Sequence, residues 1–176
     1  MARLPNRAGG GARTNFNGLN FERETSLDQA FRNKGFTVTA NHEVYYGDQY
    51  IGLSINKAAF STVFLRSRGI NYLDYNSKRW DPDEAFINEL TNTIYIIEKK
   101  FQDQAGSVDE KLATFSFKIK EYQKLADPIG YKVEYIFLLS SYFNQPKYAD
   151  YFDYMRDEGC PYFFDELPFY AIGLDI

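Results

Sequence analysis

The sequence has little histidine and little cysteine, and the shortage of both excludes several kinds of site. The chain of 176 residues contains one histidine, His42, and one cysteine, Cys160. A single histidine excludes any zinc site built on two histidines. Because no matching histidine motif accompanies Cys160, a cysteine nucleophile is not expected either. One cysteine cannot form an internal disulfide, which suits a reducing compartment.

Long apolar runs are absent as well. No stretch approaches the roughly 20 apolar residues that cross a bilayer, and residues 1–11 lack the apolar core of a signal peptide. We therefore expect a soluble, cytoplasmic protein with no membrane partner. Three consecutive glycines at 9–11 are not followed by the strand, helix and lysine of a phosphate-binding loop.

Aromatic residues, in contrast, are abundant. They make up 18% of the chain, with 15 Tyr and 16 Phe. The length is typical of one domain, which we place at residues 15–176. The formal net charge is −4, but residues 145–176 contain two basic and seven acidic side chains, so the acidity is concentrated in the tail. Local basic surfaces, and hence a polyanionic partner, remain compatible with this distribution.

The N-terminal residues 1–14, MARLPNRAGGGART, combine three arginines with three glycines. This composition predicts a flexible basic arm, and Arg13 is a candidate contact to a phosphate backbone. A helix is predicted from Asn15 to Lys34, closed by Gly35.

The rest of the chain alternates between strand and helix patterns. Residues 36–56 predict strands, and residues 58–65 fit either a strand or a short helix. Residues 84–90 and 93–101 predict two antiparallel neighbours joined at Thr91-Asn92. A helix beginning at Ser107 or Asp109 and ending near Ala126 precedes a buried strand at 131–139, which is expected to lie parallel to its neighbour. The tail predicts one or two helical turns and then strand-like aromatic residues.

The stretch IYIIEKKFQ, residues 94–102, ends its apolar run with charged residues. Because side chains alternate along a strand, Ile96, Glu98 and Lys100 are expected to share one face. Asp83 begins the preceding strand, so a hairpin would bring its carboxylate beside Glu98. Two carboxylates at that range repel each other unless a cation lies between them, which favours a Mg²⁺ site. An adjacent lysine would orient an attacking water or balance charge on a phosphate.

The motif PD, a spacer and then EKK resemble the signature of the PD-(D/E)XK nuclease superfamily. The longer run NGLNFERETSL, PDEAFI, IYIIEKKFQ, GSVDEKL and FKIKEYQKL is similar to small type II restriction endonucleases. The resemblance implies an α/β fold with a central mixed sheet of four to five strands flanked by helices. It also implies that Asp83 and Glu98 bind Mg²⁺ and that Lys100 is the catalytic lysine.

An acid from the first helix would complete this site. Helical periodicity favours Glu24, whereas the spacing of NGLNFE in similar nucleases favours Glu22. DNA contacts are expected from Lys78, Arg79 and Trp80, just before Asp83. On the following helix, Lys118 and Tyr122 are further candidates.

These features predict a site-specific deoxyribonuclease that cuts double-stranded DNA as a homodimer, with the tail 145–176 as a candidate interface. The alternative is that this tail caps its own sheet. A structure-dependent nuclease, such as a junction resolvase or phage repair nuclease, is the enzymatic alternative. A non-catalytic, aromatic-rich binding module is the alternative from another class, with Asp83, Glu98 and Lys100 forming only an ion-pair network.

Overall fold

The computed structural model of the protein describes residues 10–103 and 109–175, and the side chains of residues 10–16 and 109 lie outside the description. Residues 1–9 of the predicted flexible arm are therefore also outside it. The first helix begins at Gly10, so the backbone of residues 10–14 is helical.

The α-helices of the described chain are α1, Gly10–Glu24, α2, Leu27–Asn33, α3, Phe115–Ala126, and α4, Ala149–Asp157. The strands are β1, Thr37–Val38, β2, Glu43–Tyr46, β3, Gln49–Asn56, β4, Glu84–Asn88, β5, Thr93–Lys100, β6, Lys132–Leu139, and β7, Tyr162–Phe164. The predicted α/β class is confirmed.

Within the described residues the strands form one mixed sheet of seven strands in sequence order. Strands β1 to β5 are antiparallel neighbours, whereas β5, β6 and β7 run parallel. The predicted parallel pairing of β5 with β6 is thus confirmed, but the expected count of four to five strands was too low. The edge strands β1 and β7 contain only two and three residues, too few to show a clear alternation in the sequence.

The helix predicted from Asn15 to Lys34 is in fact two helices. Ser26 separates them with an extended backbone, and its hydroxyl accepts a hydrogen bond from the amide of Gln29 at 3.5 Å. The carboxylate of Glu84, from strand β4, accepts another from the amide of Leu27 at 3.1 Å. A serine cap and a distant carboxylate therefore start α2 at this point, whereas helical periodicity alone predicts one continuous helix.

Two other segments depart from a regular helix pattern. Residues Phe60–Leu65 form a π-helical turn, which settles the ambiguity at 58–65 in favour of a helix. The helix predicted from Ser107 or Asp109 is divided into a short 3₁₀ segment, Asp109–Ala113, and α3. Ser107 itself lies outside the described residues.

The sheet is covered on both faces by apolar residues. One core joins the π-helical turn, α3 and α4 to the sheet, and Ile94 and Ile96 of β5 belong to it. The second core joins α1, α2 and the C-terminal residues to the opposite face, and Ile97 of β5 belongs to it. Neighbouring side chains of β5 therefore enter different cores, as strand alternation predicts.

The tail is part of this fold. Strand β7 pairs with β6, Met155 of α4 is fully buried in the first core, and Ile172 is fully buried in the second. Burial within its own chain favours the capping alternative over a dimer interface, although Tyr170 is 67% exposed. None of the helices that the structure describes combines the length and apolar character needed to cross a membrane.

Candidate active site

Asp83 and Glu98 lie at the same end of the β4–β5 hairpin. The antiparallel register pairs Glu84 with Ile97, so Asp83 precedes the ladder beside Glu98. The Asp83 carboxylate accepts a hydrogen bond from the backbone amide of Lys99 at 2.8 Å. This side-chain hydrogen bond extends the β4–β5 hydrogen-bond ladder and holds the Asp83 carboxylate beside β5.

Two lysines bind the carboxylate of Glu98. Lys100 Nζ lies 2.5 Å from Glu98 Oε1, as strand alternation predicts for residues two positions apart. Lys118 Nζ, from α3, lies 2.7 Å from the same oxygen. Both ammonium groups are largely shielded, with side-chain exposures of 14% for Lys100 and 22% for Lys118, so the cluster is a partly desolvated network rather than a surface ion pair.

The two carboxylates have opposite electrostatic environments. Burial and the charge of Glu98 raise the pKa of Asp83, although the Lys99 amide and Lys100 oppose this shift. Burial alone would raise the pKa of Glu98, but Lys100 and Lys118 together outweigh it and hold that pKa below its usual value. Glu98 is therefore stabilised as an anion, whereas the ionised form of Asp83 lacks sufficient compensating charge.

Two buried tyrosines lie on the same side of β5 as Glu98. Tyr135, opposite Ile96 in the register, is 2% exposed; its hydroxyl has no well-formed hydrogen bond to another described residue, but it interacts with the Glu98 carboxylate. Tyr122 is 1% exposed and contacts Phe60 edge to face. The ring of Tyr122, which the sequence offered as a DNA contact, is therefore a core residue of the described fold. Burial, and then the charge of Glu98, raise the pKa of both hydroxyls.

Glu22 and Glu24 face different cavities. A depression of about 310 Å³ is lined by Glu22, Asp83 and Lys57. Glu22 is also one of the charges that raise the pKa of Asp83. Glu24 instead lines a second cavity of about 310 Å³ between α2 and the tail segment around Leu167. The geometry associates Glu22, not Glu24, with Asp83.

Lys99 fastens the first helix to the sheet from the opposite side of β5. Its ammonium lies 2.9 Å from Glu84 Oε2 and donates to the carbonyls of Glu22 at 3.2 Å and Thr25 at 2.9 Å. The lysine side chain is only 4% exposed. Because these bonds end on the last turn of α1 and on the residue after it, Lys99 anchors the segment that contains Glu22.

The residues expected to contact DNA are dispersed around this cluster. Lys78 and Arg79 are exposed, and Arg79 forms an ion pair with Asp81 at 2.9 Å. Trp80 is half-buried, with Lys78 Nζ 4.5 Å from its ring centroid. The side chain of Arg13 lies outside the described residues. A DNA-contacting role for these residues stays a prediction.

Asp83 and Glu98 offer oxygen ligands of the kind that Mg²⁺ prefers. No group of three or more His, Cys, Asp or Glu side chains suited to a metal occurs in residues 10–103 and 109–175. Mg²⁺ is, however, commonly bound by one or two carboxylates, with waters and substrate phosphates completing its shell. Burial, and then the charge of Glu98, disfavour the ionised form of Asp83, and a bound cation would offset both effects. The pair therefore fits an ion shared with a phosphate, not an all-protein cage.

Sequence reasoning missed the Glu84–Lys99 pair and underestimated Lys118. Because side chains alternate along β5, Lys99 shares a face with Ile97. The hairpin register pairs Ile97 with Glu84, so Lys99 and Glu84 lie on the same face. That register cannot be read from either strand separately. Lys118 was expected to contact phosphate, but nothing local in α3 indicates that it binds Glu98.

Comparisons with known proteins do not identify this arrangement. No protein-family model, curated protein or solved structure matches the chain.

Proposed function

We propose that this protein is a Mg²⁺-dependent DNA endonuclease that hydrolyses phosphodiester bonds. One observation carries the proposal: Asp83 and Glu98 adjoin on neighbouring strands, and two lysines bind Glu98 from β5 and α3. Acids that attract a cation, beside ammonium groups that attract a phosphate, match the charge distribution of phosphoryl-transfer sites.

The resemblance to PD-(D/E)XK nucleases adds a second line of support. In that reading, PD contributes Asp83, and EKK contributes Glu98 and Lys100. The observed order of a helix, an antiparallel hairpin, a crossover helix and a parallel strand agrees with the core expected for such nucleases. Glu22 is the first-helix acid that we assign to the site.

Each side chain has a defined role in the proposed reaction. Asp83 and Glu98 would hold Mg²⁺, which supplies polarisation of the phosphate and a lowered pKa for bound water. Lys100, held by Glu98, orients the attacking water, whose oxygen bonds to phosphorus as the bridging P–O bond breaks. The water gives up a proton to solvent, and the leaving oxygen takes one up to become a free hydroxyl. Lys118 binds a non-bridging phosphate oxygen and offsets the negative charge that develops there.

The substrate that we propose is double-stranded DNA, and the finer proposal is a type II restriction endonuclease. One site of this kind cuts one strand, so a two-fold homodimer is the simplest means of cutting both strands of a palindromic target. The tail contributes to its own core, which leaves the location of such an interface undefined.

Incubation of supercoiled plasmid with the protein and Mg²⁺ tests the function. Discrete linear fragments are the expected product, whereas selective cleavage of branched DNA would favour a junction nuclease. Plasmid that stays intact under all Mg²⁺ concentrations would favour the binding module and end the nuclease proposal.

Matched variants test the site within the same assay. Asp83→Asn and Glu98→Gln should abolish cleavage while circular dichroism shows a folded protein. The control is Glu134→Gln, a half-buried acid on β6 that lies opposite Tyr95 and therefore on the other face of the sheet. Near-normal cleavage by either site variant would refute the assignment of that residue.

A further inference from the structure

An exposed aromatic side chain adjoins the Glu98 cluster on helix α3. Phe117 is 55% exposed, although the neighbouring aromatic residues of the helix, Phe115 and Tyr122, are buried. Its position immediately precedes Lys118, which contacts Glu98. Single exposed apolar side chains are common on protein surfaces, so the significance of this ring depends on what surrounds it.

Trp80 packs against the ring of Phe117. The Phe117 and Trp80 centroids are 5.8 Å apart with the planes at 75°, and Lys78 stands over the indole at 4.5 Å. Asn76 fastens the same loop to α3 by donating a hydrogen bond to the carbonyl of Glu121 at 3.0 Å. Trp80 therefore makes its contacts within the chain, whereas the exposed surface of Phe117 is available to stack with a ring of a ligand.

The surface around Phe117 is cationic. Taking 100° per residue, Phe117, Lys120 and Lys124 lie along one side of α3, and the last two are exposed. Lys78 lies over the indole of Trp80, and Lys118 directly follows Phe117 in α3. An aromatic platform among lysines suits a base with its phosphates, because stacking and charge attraction then act on one ligand. Lys118 pairs with Glu98 and Lys124 with Glu121, and an apolar protein partner would bury these charged side chains away from water.

We infer that Phe117 is a stacking platform for an unstacked nucleobase of a DNA strand bound at the Glu98 cluster. The assignment of the cut to the adjoining phosphate rests on the proposed function, but the stacking is measurable without cleavage. The substrate class implied is DNA with a base displaced from the duplex, whether already single-stranded or extruded on binding.

Trp80 is the only tryptophan in the chain and lies against Phe117, so its fluorescence reports on this surface. The experiment titrates the protein, in EDTA to prevent cleavage, with single-stranded (dT)₁₂ and with a blunt 12-base-pair duplex. Light scattering is measured for each variant. We expect (dT)₁₂ to change Trp80 emission and to bind more tightly than the duplex.

Phe117→Ala should weaken (dT)₁₂ binding by roughly fivefold to 150-fold, the range for loss of one base–aromatic stack, and Phe117→Trp should restore it. Tyr170→Ala is the matched control, because Tyr170 is an exposed aromatic, 67% accessible, on the opposite face of the sheet. The Tyr170→Ala variant should bind (dT)₁₂ with the same affinity as the unaltered protein.

Unchanged affinity of Phe117→Ala, or no binding of (dT)₁₂ by the unaltered protein, would overturn the inference. A change in oligomeric mass confined to Phe117→Ala would also overturn it, by assigning the ring to a second copy of the chain. The plasmid assay separates the two proposals. If Phe117→Ala cleaves plasmid with unchanged rate and affinity, only the stacking proposal is refuted. If (dT)₁₂ stacks on Phe117 but the protein cleaves no plasmid, only the nuclease proposal is refuted.

Discussion

Replacement of Lys99 by methionine is expected to destabilise the fold through the acid that it leaves behind. Lys99 Nζ lies 2.9 Å from Glu84 Oε2, with side-chain exposures of 4% and 13%. Methionine nearly conserves the volume of the lysine stem but removes the charge. Glu84 would then be a buried carboxylate whose strongest described partner is the Leu27 amide.

The expected loss is about 3–5 kcal/mol in the free energy of unfolding, the usual result of removing one partner of a buried ion pair. For a chain of this size it corresponds to a fall of roughly 6–20 °C in melting temperature. Equilibrium urea unfolding, followed by Trp80 fluorescence, measures the difference. The double variant Glu84→Met/Lys99→Met should be more stable than Lys99→Met alone, because no uncompensated charge remains.

The pH dependence identifies the responsible group. Burial raises the pKa of Glu84, and Lys99 opposes that shift. Without Lys99 the folded-state pKa rises further above the unfolded value. The variant therefore loses stability as the pH rises from the unfolded pKa through the folded pKa, and its deficit should shrink when the pH is lowered from 7 towards 4.5.

Lys57→Met is the matched control. Its ammonium lies 3.4 Å from Glu22, but the side chains are 68% and 46% exposed, so about 0–1 kcal/mol is expected. The reasoning would be refuted if Lys99→Met cost no more than this control, or if its deficit were the same at pH 4.5 and pH 7.

Three other predictions test the site, the thiol and the assembly. Glu22→Ala should reduce plasmid cleavage far more than Glu24→Ala, because Glu22 shares a depression with Asp83; equal rates would show that α1 is only scaffold. Cys160 is 2% exposed, and burial raises its pKa to about 12, so Ellman's reagent at pH 8 should label it only on unfolding. Because the unfolded thiol ionises first, that group should also lower stability as the pH rises above about 8.5, and rapid native labelling would contradict this burial. Light scattering should give twice the chain mass of 20.5 kDa if the proposed homodimer forms without DNA; a monomer mass would restrict it to the DNA complex.

The sequence predicted those features that depend on neighbours along the chain. Alternation in residues 94–100 predicted the shared face of Glu98 and Lys100, and the apolar run at 131–139 predicted a buried parallel strand. A turn at Thr91-Asn92 predicted the hairpin, and Asn92 has the positive φ of 51° that such a turn requires. These are short-range steric and periodic effects, so one segment contains the information.

Features that depend on contacts between distant segments were missed or misread. The break between α1 and α2 needs the Glu84 carboxylate, 57 residues beyond Leu27, and periodicity in α1 contains no sign of it. Tyr122 has the same helical position whether it faces solvent or a core, and only packing against Phe60 decides between them.

The candidate site divides in the same way. The sequence by itself determined Asp83, Glu98 and Lys100 as a group, because a hairpin and a two-residue period suffice to bring them together. Only the tertiary structure decided that Glu22 adjoins Asp83 while Glu24 does not, and that Lys118 binds Glu98. The physical reason is that the orientations of α1 and α3 are set by their buried contacts with the sheet, among them the Lys99 anchor, and those contacts join residues 20 to 77 positions apart.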